Sequence, residues 1–266
     1  MQRKKSGLGW MRDLPDPRDH VYSAPLAMLQ ALPTTVDLTP TFPVYNQGRI
    51  GSCTANALAG ALQFDRTKSG QSPDFIPSRL FIYYNERVIE SDPSNDGGAQ
   101  LRDGIKSLQQ KGVCPENEWP YDDTPAAYEG GPFPVGSRPA TCPPQTCYND
   151  AVSYCITGYQ RLNQILSQLQ GCLASGFPFV FGFSVFDGWY DRTPQATVVP
   201  IPSNSDRQVG GHAVMCVGYD NSQNLFKIRN SWGSDVGENG YFYMPYGYVT
   251  EPTLASDFWV INAVRD

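Results

Sequence analysis

Thr39-Pro-Thr-Phe-Pro-Val-Tyr-Asn-Gln47-Gly-Arg-Ile-Gly-Ser-Cys53-Thr-Ala-Asn-Ala-Leu-Ala-Gly-Ala-Leu-Gln-Phe64 is the stretch on which the reading of this chain turns. Pro40, Pro43, Gly48 and Gly51 keep residues 39–51 out of regular structure. The pattern then changes abruptly. Ala55, Leu58, Ala59 and Leu62 recur at i, i+3, i+4 and i+7, which predicts an amphipathic helix with Ser52 as its N-cap. Cys53 therefore falls in the first turn, where free N–H groups and the helix dipole favour a thiolate. A helical cysteine taken alone is more often a small buried hydrophobe. The glycine-containing loop before it, and a base further along the chain, are what shift the balance towards a nucleophile.

Upstream, residues 1–31 read as an appendage. Arg12 to Asp19 carries two prolines and alternating charge, and Ala24 to Leu32 is long enough for two turns of helix. Downstream, helices are predicted over Ser78–Ile89, over Ala99–Lys111 with Gly112 as the stop, and over Gln160–Ala174 with Leu162, Ile165, Leu166 and Leu169 as its stripe. Residues 122–150, rich in proline and glycine, read as a long crossing loop between two lobes. From Phe177 onward the pattern turns to strand: Pro178–Val185, His212–Tyr219, Leu225–Asn230, Gly240–Met244 and Phe258–Val264. A helical first half and a sheet-rich second half predict an α+β fold.

Composition narrows the function. The chain has 266 residues and a net charge of −6, and its basic residues do not cluster beyond Arg3-Lys4-Lys5. A nucleic-acid surface needs a basic stripe, so none is expected. No apolar run reaches the roughly 20 residues of a membrane span. Residues 1–10 have a basic start but no apolar core, so no secretory signal is visible, and localisation stays open between cytoplasm and export by another route. Seven cysteines leave at least one unpaired within the chain. Only two histidines exist, His20 and His212, so any imidazole chemistry has two candidates.

Asp220 to Asn224 reads as a hairpin turn. Placing Tyr219 opposite Leu225 puts His212 opposite Trp232 and makes Asn230 its diagonal neighbour, about 7–8 Å away along the sheet. A one-residue slip would send these groups to opposite faces. A histidine fixed by an asparagine amide beneath an indole suits a general base, because the amide sets the tautomer and leaves the other ring nitrogen for the thiol. The plainer reading is a satisfied core histidine.

Together these residues resemble the papain family of cysteine peptidases. Gln47 to Thr54 resembles the family's active-site loop and helix, Gly211-His212-Ala-Val its histidine motif, and Asn230-Ser-Trp232-Gly its asparagine motif. Gly237-Glu-Asn-Gly-Tyr241 resembles the glycine-rich stretch that follows, and Leu32 to Asp37 the mature N-terminus. Asp96-Gly97-Gly98 and Glu118-Trp-Pro-Tyr121 resemble the substrate-side wall. The resemblance implies a papain-like two-lobed fold, one lobe mostly helical and the other β-barrel-like, with the active-site cleft between them. It implies Cys53 as nucleophile, His212 as base, Asn230 as its orienting partner, and Gln47 with the Cys53 N–H as oxyanion donors. Trp232, counted with the substrate-facing set, shields the His–Asn bond. Gly97 and Gly98 would approach the substrate backbone, and Gly182, Gly210 and Gly211 would line a roomy specificity pocket for bulky apolar side chains. Residues 1–31 would be a short inhibitory pro-segment and 32–266 the peptidase domain. The implied enzyme is a monomeric endopeptidase acting on protein or peptide substrates, with no cofactor, metal, nucleic-acid or membrane partner.

The chain departs from the family pattern at Ile50, where a disulfide cysteine is common, at Thr54, in place of an aromatic residue, and at Val236, in place of a second tryptophan. Three rival readings are weaker. A catalytically dead scaffold would lack a nucleophile or a base, and both are present. A transglutaminase or amidase is disfavoured by the Gln47–Cys53 loop together with Asn230. A metal site at Cys142, Cys147 and Cys155 gives way to reduced or disulfide-bonded loop cysteines.

Overall fold

The computed structural model of the chain describes residues 7–71, 74–193 and 195–264, so Arg3-Lys4-Lys5 lies outside the described residues. In chain order its strands are β1 (Trp10–Met11), β2 (Val21–Tyr22), β3 (Thr35–Asp37), β4 (Ala99–Gln100), β5 (Ile156–Leu162), β6 (Phe179–Phe186), β7 (Gln208–Asp220), β8 (Leu225–Arg229), β9 (Tyr241–Pro245) and β10 (Ala255–Val264). The helices are α1 (Leu26–Gln30), α2 (Cys53–Lys68), α3 (Arg79–Ile89), α4 (Leu101–Gln110), α5 (Gln145–Ala151), α6 (Leu166–Ala174), α7 (Asp187–Tyr190) and α8 (Tyr246–Val249). The chain divides into two compact units, one from residues 1–13, 47–159 and 261–266, the other from 14–46 and 160–260. Among the described residues no helix is long and apolar enough to cross a membrane.

The first unit is built on α2. The sequence predicts one apolar stripe for this helix, but 13 of its 16 residues are buried. Alanine and glycine at positions 55, 57, 59, 60 and 61 let neighbours close in on every side, so the helix is a core rod and not a surface helix. Ser52 precedes it without capping it by a side-chain bond. Ser78 does cap α3, accepting from the Phe81 N–H at 3.2 Å. Gly112 ends α4 with φ +72°, and a Cβ there would lie 1.8 Å from the Ala151 carbonyl oxygen.

The second unit carries an eight-stranded sheet in the order β2-β5-β10-β6-β7-β8-β9, with β3 on β7. The sheet does not close on itself, so its lobe is an open sheet where a barrel-like one was expected. The helix predicted over Gln160–Ala174 is corrected: residues 156–162 form β5, and α6 begins only at Leu166. Pairing of Val21 with Arg161 and Tyr22 with Leu162 wins over the helical spacing of the leucines. Central strand β6 is buried at seven of its eight residues, on both faces, so it reads as a continuous apolar run. Phe179, Phe181 and Phe183 line one face, and Phe181 stacks on Phe258 with ring centroids 5.1 Å apart.

The hairpin register departs from its expected form and then returns to it. Leu225 pairs with Asp220, not Tyr219, and Phe226 pairs with Tyr219. A bulge between Cys216 and Gly218 absorbs the extra residue, so Cys216 pairs with Ile228 and Met215 with Arg229. Beyond the bulge the strands are back in the register that brings Asn230 to His212.

Candidate active site

In the first unit, Cys53 opens α2 and is buried. Gln47 is fully buried too, which excludes a solvated loop glutamine. Its Nε2 donates to the Ile50 and Gly7 carbonyls, each at 2.9 Å. The loop between them is fixed from below. The Tyr121 hydroxyl donates to the Gln47 carbonyl at 2.9 Å and lies 2.6 Å from the Ser52 hydroxyl. Asp96 Oδ1 accepts from the Gly51 N–H at 2.9 Å and from the Tyr83 hydroxyl at 2.5 Å. Burial pushes the Asp96 carboxyl and the Tyr83 and Tyr121 phenols up. Asp96 and Tyr121, expected in the substrate-side wall, thus prop the loop that presents Cys53. Thr54 in place of an aromatic residue has a partner of its own: its hydroxyl donates to Glu86 Oε2 at 2.9 Å. Ile50, where a disulfide cysteine is common, is fully buried as an apolar plug.

The N-terminal segment lies on this same surface. β1 pairs in parallel with β4, Trp10 beside Ala99 and Met11 beside Gln100. The Ala99 N–H donates to the Gly9 carbonyl at 2.7 Å. The approach is close enough to require glycine on both sides. A Cβ on Gly9 would lie 1.7 Å from the Gly51 oxygen, and one on Gly98, at φ +79°, 2.1 Å from the Gly9 oxygen. Gly97 is exposed beside it.

In the second unit, His212 Nε2 lies 2.8 Å from Asn230 Oδ1, and that oxygen also accepts from the Ser231 N–H at 2.8 Å. An oxygen that already takes one donor identifies the ring nitrogen facing it as the protonated one. His212 Nδ1 then carries the lone pair, and it is buried without a hydrogen-bond partner among the described residues. Trp232 stacks on the imidazole with centroids 4.6 Å apart and planes 25° apart, and Phe183 meets the ring edge-on at 5.8 Å. Trp189 in turn stacks on Trp232 at 5.7 Å. Burial brings the His212 pKa down to about 4, opposed by the Asn230 hydrogen bond.

Of the glycines predicted to line one pocket, Gly182 pairs with Ala213, Gly211 with Ser184 and Gly210 with Val185. Strand alternation puts Gly182 and Gly211 on one face, and Gly210 on the face of His212. The supports Tyr83, Trp189 and Phe183 escaped the sequence reading, because isolated aromatics in helix and strand patterns look like ordinary core. Among the described residues, the side chains grouped so as to hold a metal, Cys114, Glu118 and Cys147, include none of the predicted site residues.

Cys53 stands at a helix start in one unit, and an asparagine-bound, indole-covered histidine stands in the other. The family model of papain family cysteine proteases matches residues 32–259. A peptidase C1-like protein of Acanthamoeba polyphaga mimivirus is 37% identical over 284 residues, covering 97% of this chain and 87% of its own. Among solved structures, xylellain, a cysteine protease from Xylella fastidiosa, is 55% identical with a TM-score of 0.95, over 100% of this chain and 99% of that one. A procathepsin B from Trypanosoma congolense shares the fold at 17% identity, with a TM-score of 0.71 over 99% of this chain and 88% of that one. The chain belongs to the papain family of cysteine proteases. It is a cysteine-type peptidase, a hydrolase whose substrates are proteins or peptides.

Proposed function

We propose that the chain is an endopeptidase in which Cys53 is the nucleophile and His212 the acid and base, held back by its own N-terminal segment. The observation that carries the mechanism is the His212–Asn230 pair: Nε2 is occupied at 2.8 Å, and the lone pair of Nδ1 is left bare. Nδ1 takes the Cys53 proton, giving a thiolate and an imidazolium. Burial alone opposes the imidazolium, so its stability depends on the thiolate as counter-ion. The sulfur attacks the scissile carbonyl carbon, and the oxyanion is met by Gln47 Nε2–H and the Cys53 N–H. His212 returns its proton to the leaving amine as the C–N bond breaks. A water then loses a proton to Nδ1 and attacks the acyl carbon, and the C–S bond breaks to release the acid and the thiol. Gly97 and Gly98 offer backbone to the substrate, and Gly182 with Gly211 provides the small-residue wall of the specificity pocket.

Intact-mass measurement after rapid mixing with an activated ester tests the chemistry. The proposal expects a transient acyl adduct on Cys53 and none in the Cys53→Ala protein. Turnover by the Cys53→Ala protein would refute it.

The segment supports a second part of the reading, in which residues 1–31 form a short inhibitory pro-segment on a peptidase domain of residues 32–266. Gly7 accepts from the Gln47 amide that the oxyanion needs, and residues 9–11 lie along Gly98 to Gln100, where substrate backbone would bind. Substrate and segment compete for the same donors.

A further inference from the structure

We propose that Cys114, Glu118 and Cys147, with a fourth position open to solvent, form a binding site for a thiophilic divalent cation of the zinc type, independent of the peptidase centre. The two Sγ atoms and a Glu118 carboxylate oxygen all lie within 4.8 Å of one another. A tetrahedral ion with bonds of about 2.3 Å to sulfur and 2.0–2.2 Å to oxygen needs its ligand atoms some 3.5–3.8 Å apart, so small side-chain rotations suffice.

The backbone that holds the ligands is fixed on both sides. Cys114 follows the Gly112 stop of α4, and its carbonyl accepts from the Ser78 N–H at 2.9 Å. Glu118 is four residues on, closing a turn onto the Pro115 carbonyl at 3.0 Å. Cys147 sits in the first turn of α5, and Asp150, three residues later, falls on the same helix face. Both thiols are buried, 0% and 1% exposed, while Glu118 is exposed and gives an ion a way in.

The acids distinguish this cluster from an ordinary thiol pair. A Glu118 carboxylate oxygen stands with the two thiols, and Asp150, on the face of α5 that carries Cys147, adds a second acidic group beside it. A disulfide between Cys114 and Cys147 would use the thiols alone, whereas a divalent cation uses the Glu118 carboxylate with them. Of the loop cysteines weighed for a metal, only Cys147 takes part. Cys142 is exposed and 4.0 Å from the Tyr148 hydroxyl. The site would pin the start of α5 to the exit of α4.

The experiment uses the full chain with Cys53→Ala, which removes the thiol of the peptidase centre. After incubation with zinc and dialysis, atomic emission should find about one zinc per chain, and cobalt should give a thiolate-to-cobalt charge-transfer band. Zinc should also raise the melting temperature. Glu118→Gln, at the surface, should keep the fold and lose at least tenfold in zinc affinity, and Cys114→Ser with Cys147→Ser should abolish the cobalt band. Unchanged zinc affinity in Glu118→Gln overturns the proposal, and this arm stands even if the double serine variant fails to fold. Recovery of a Cys114–Cys147 disulfide from protein purified without reductant overturns it equally.

Discussion

The Gln47 side-chain amide donates to two acceptors that differ in kind: Ile50 belongs to its own loop, and Gly7 to the N-terminal segment. Replacing it with alanine removes an oxyanion donor, an effect of about 2.7–4 kcal/mol, or 10²–10³ in turnover. Gln47→Ala should show that loss in kcat in a protein that still folds, with a lowered melting temperature because the Gly7 and Ile50 carbonyls lose their donor. Asn230→Ala leaves a buried imidazole N–H without an acceptor, a deficit of about 1–3 kcal/mol, so both stability and kcat should fall. Thermal melts and steady-state kinetics of this variant check both. His212 offers a pH test, because the chain has only two histidines to resolve by NMR. With Cys53→Ala, burial should hold His212 near 4, where the structure places it. In the intact enzyme the thiolate should move it up, and identical titrations in the two proteins would argue against an ion pair. The linked stability follows from the direction of the shift. A folded pKa of about 4, below the unfolded value of about 6.5, means that the unfolded chain binds the extra proton between them. In Cys53→Ala the histidine's contribution is therefore complete above pH 6.5. It shrinks by about 3 kcal/mol as the pH falls to 4, relative to the same protein with His212→Phe.

At the scale of elements, the segment around Gly9 makes the sharpest prediction. An alanine there would drive its Cβ to 1.7 Å from the Gly51 oxygen, backbone against backbone, so the segment must lift. Gly9→Ala should raise kcat/KM for a small peptide substrate, and equal activity would remove the inhibitory reading. Glycine gave no local signal of this role, because a close approach is a property of two chain segments and not of one. The hairpin teaches the same lesson. The turn does fall at Asp220–Asn224, but it closes with Asp220 and not Tyr219 opposite Leu225, and only the bulge between Cys216 and Gly218 restores the Asn230–His212 meeting. Alternation alone does not reveal a bulge, since the bulged Val217 is an apolar residue in an apolar run. The helical spacing of Leu162, Ile165, Leu166 and Leu169 hides β5 for a related reason, since pairing with distant β2 overrides it.

At the scale of the molecule, the division into a helical part and a sheet part was legible because composition changes at Phe177, where alanine and leucine give way to phenylalanine and valine. The cysteine, histidine, asparagine and glutamine of the candidate site were legible as well, since few residues of those types stand in suitable surroundings. Less legible was the path of the N-terminus. Residues 7–13 belong to the first unit, held there by contacts far apart in sequence such as the Arg102 N–H to Asp13 Oδ1 at 3.2 Å, and residues 14–46 belong to the second. What read as an appendage is part of both units. The central claim, Cys53 as a nucleophile served by His212, is tested most directly by labelling with an epoxide-type inhibitor of cysteine peptidases, followed by peptide mapping. The account predicts one label per chain, on Cys53, with complete loss of peptide cleavage and a much slower reaction in His212→Ala. Labelling spread over other cysteines, or cleavage that survives full modification of Cys53, would contradict it.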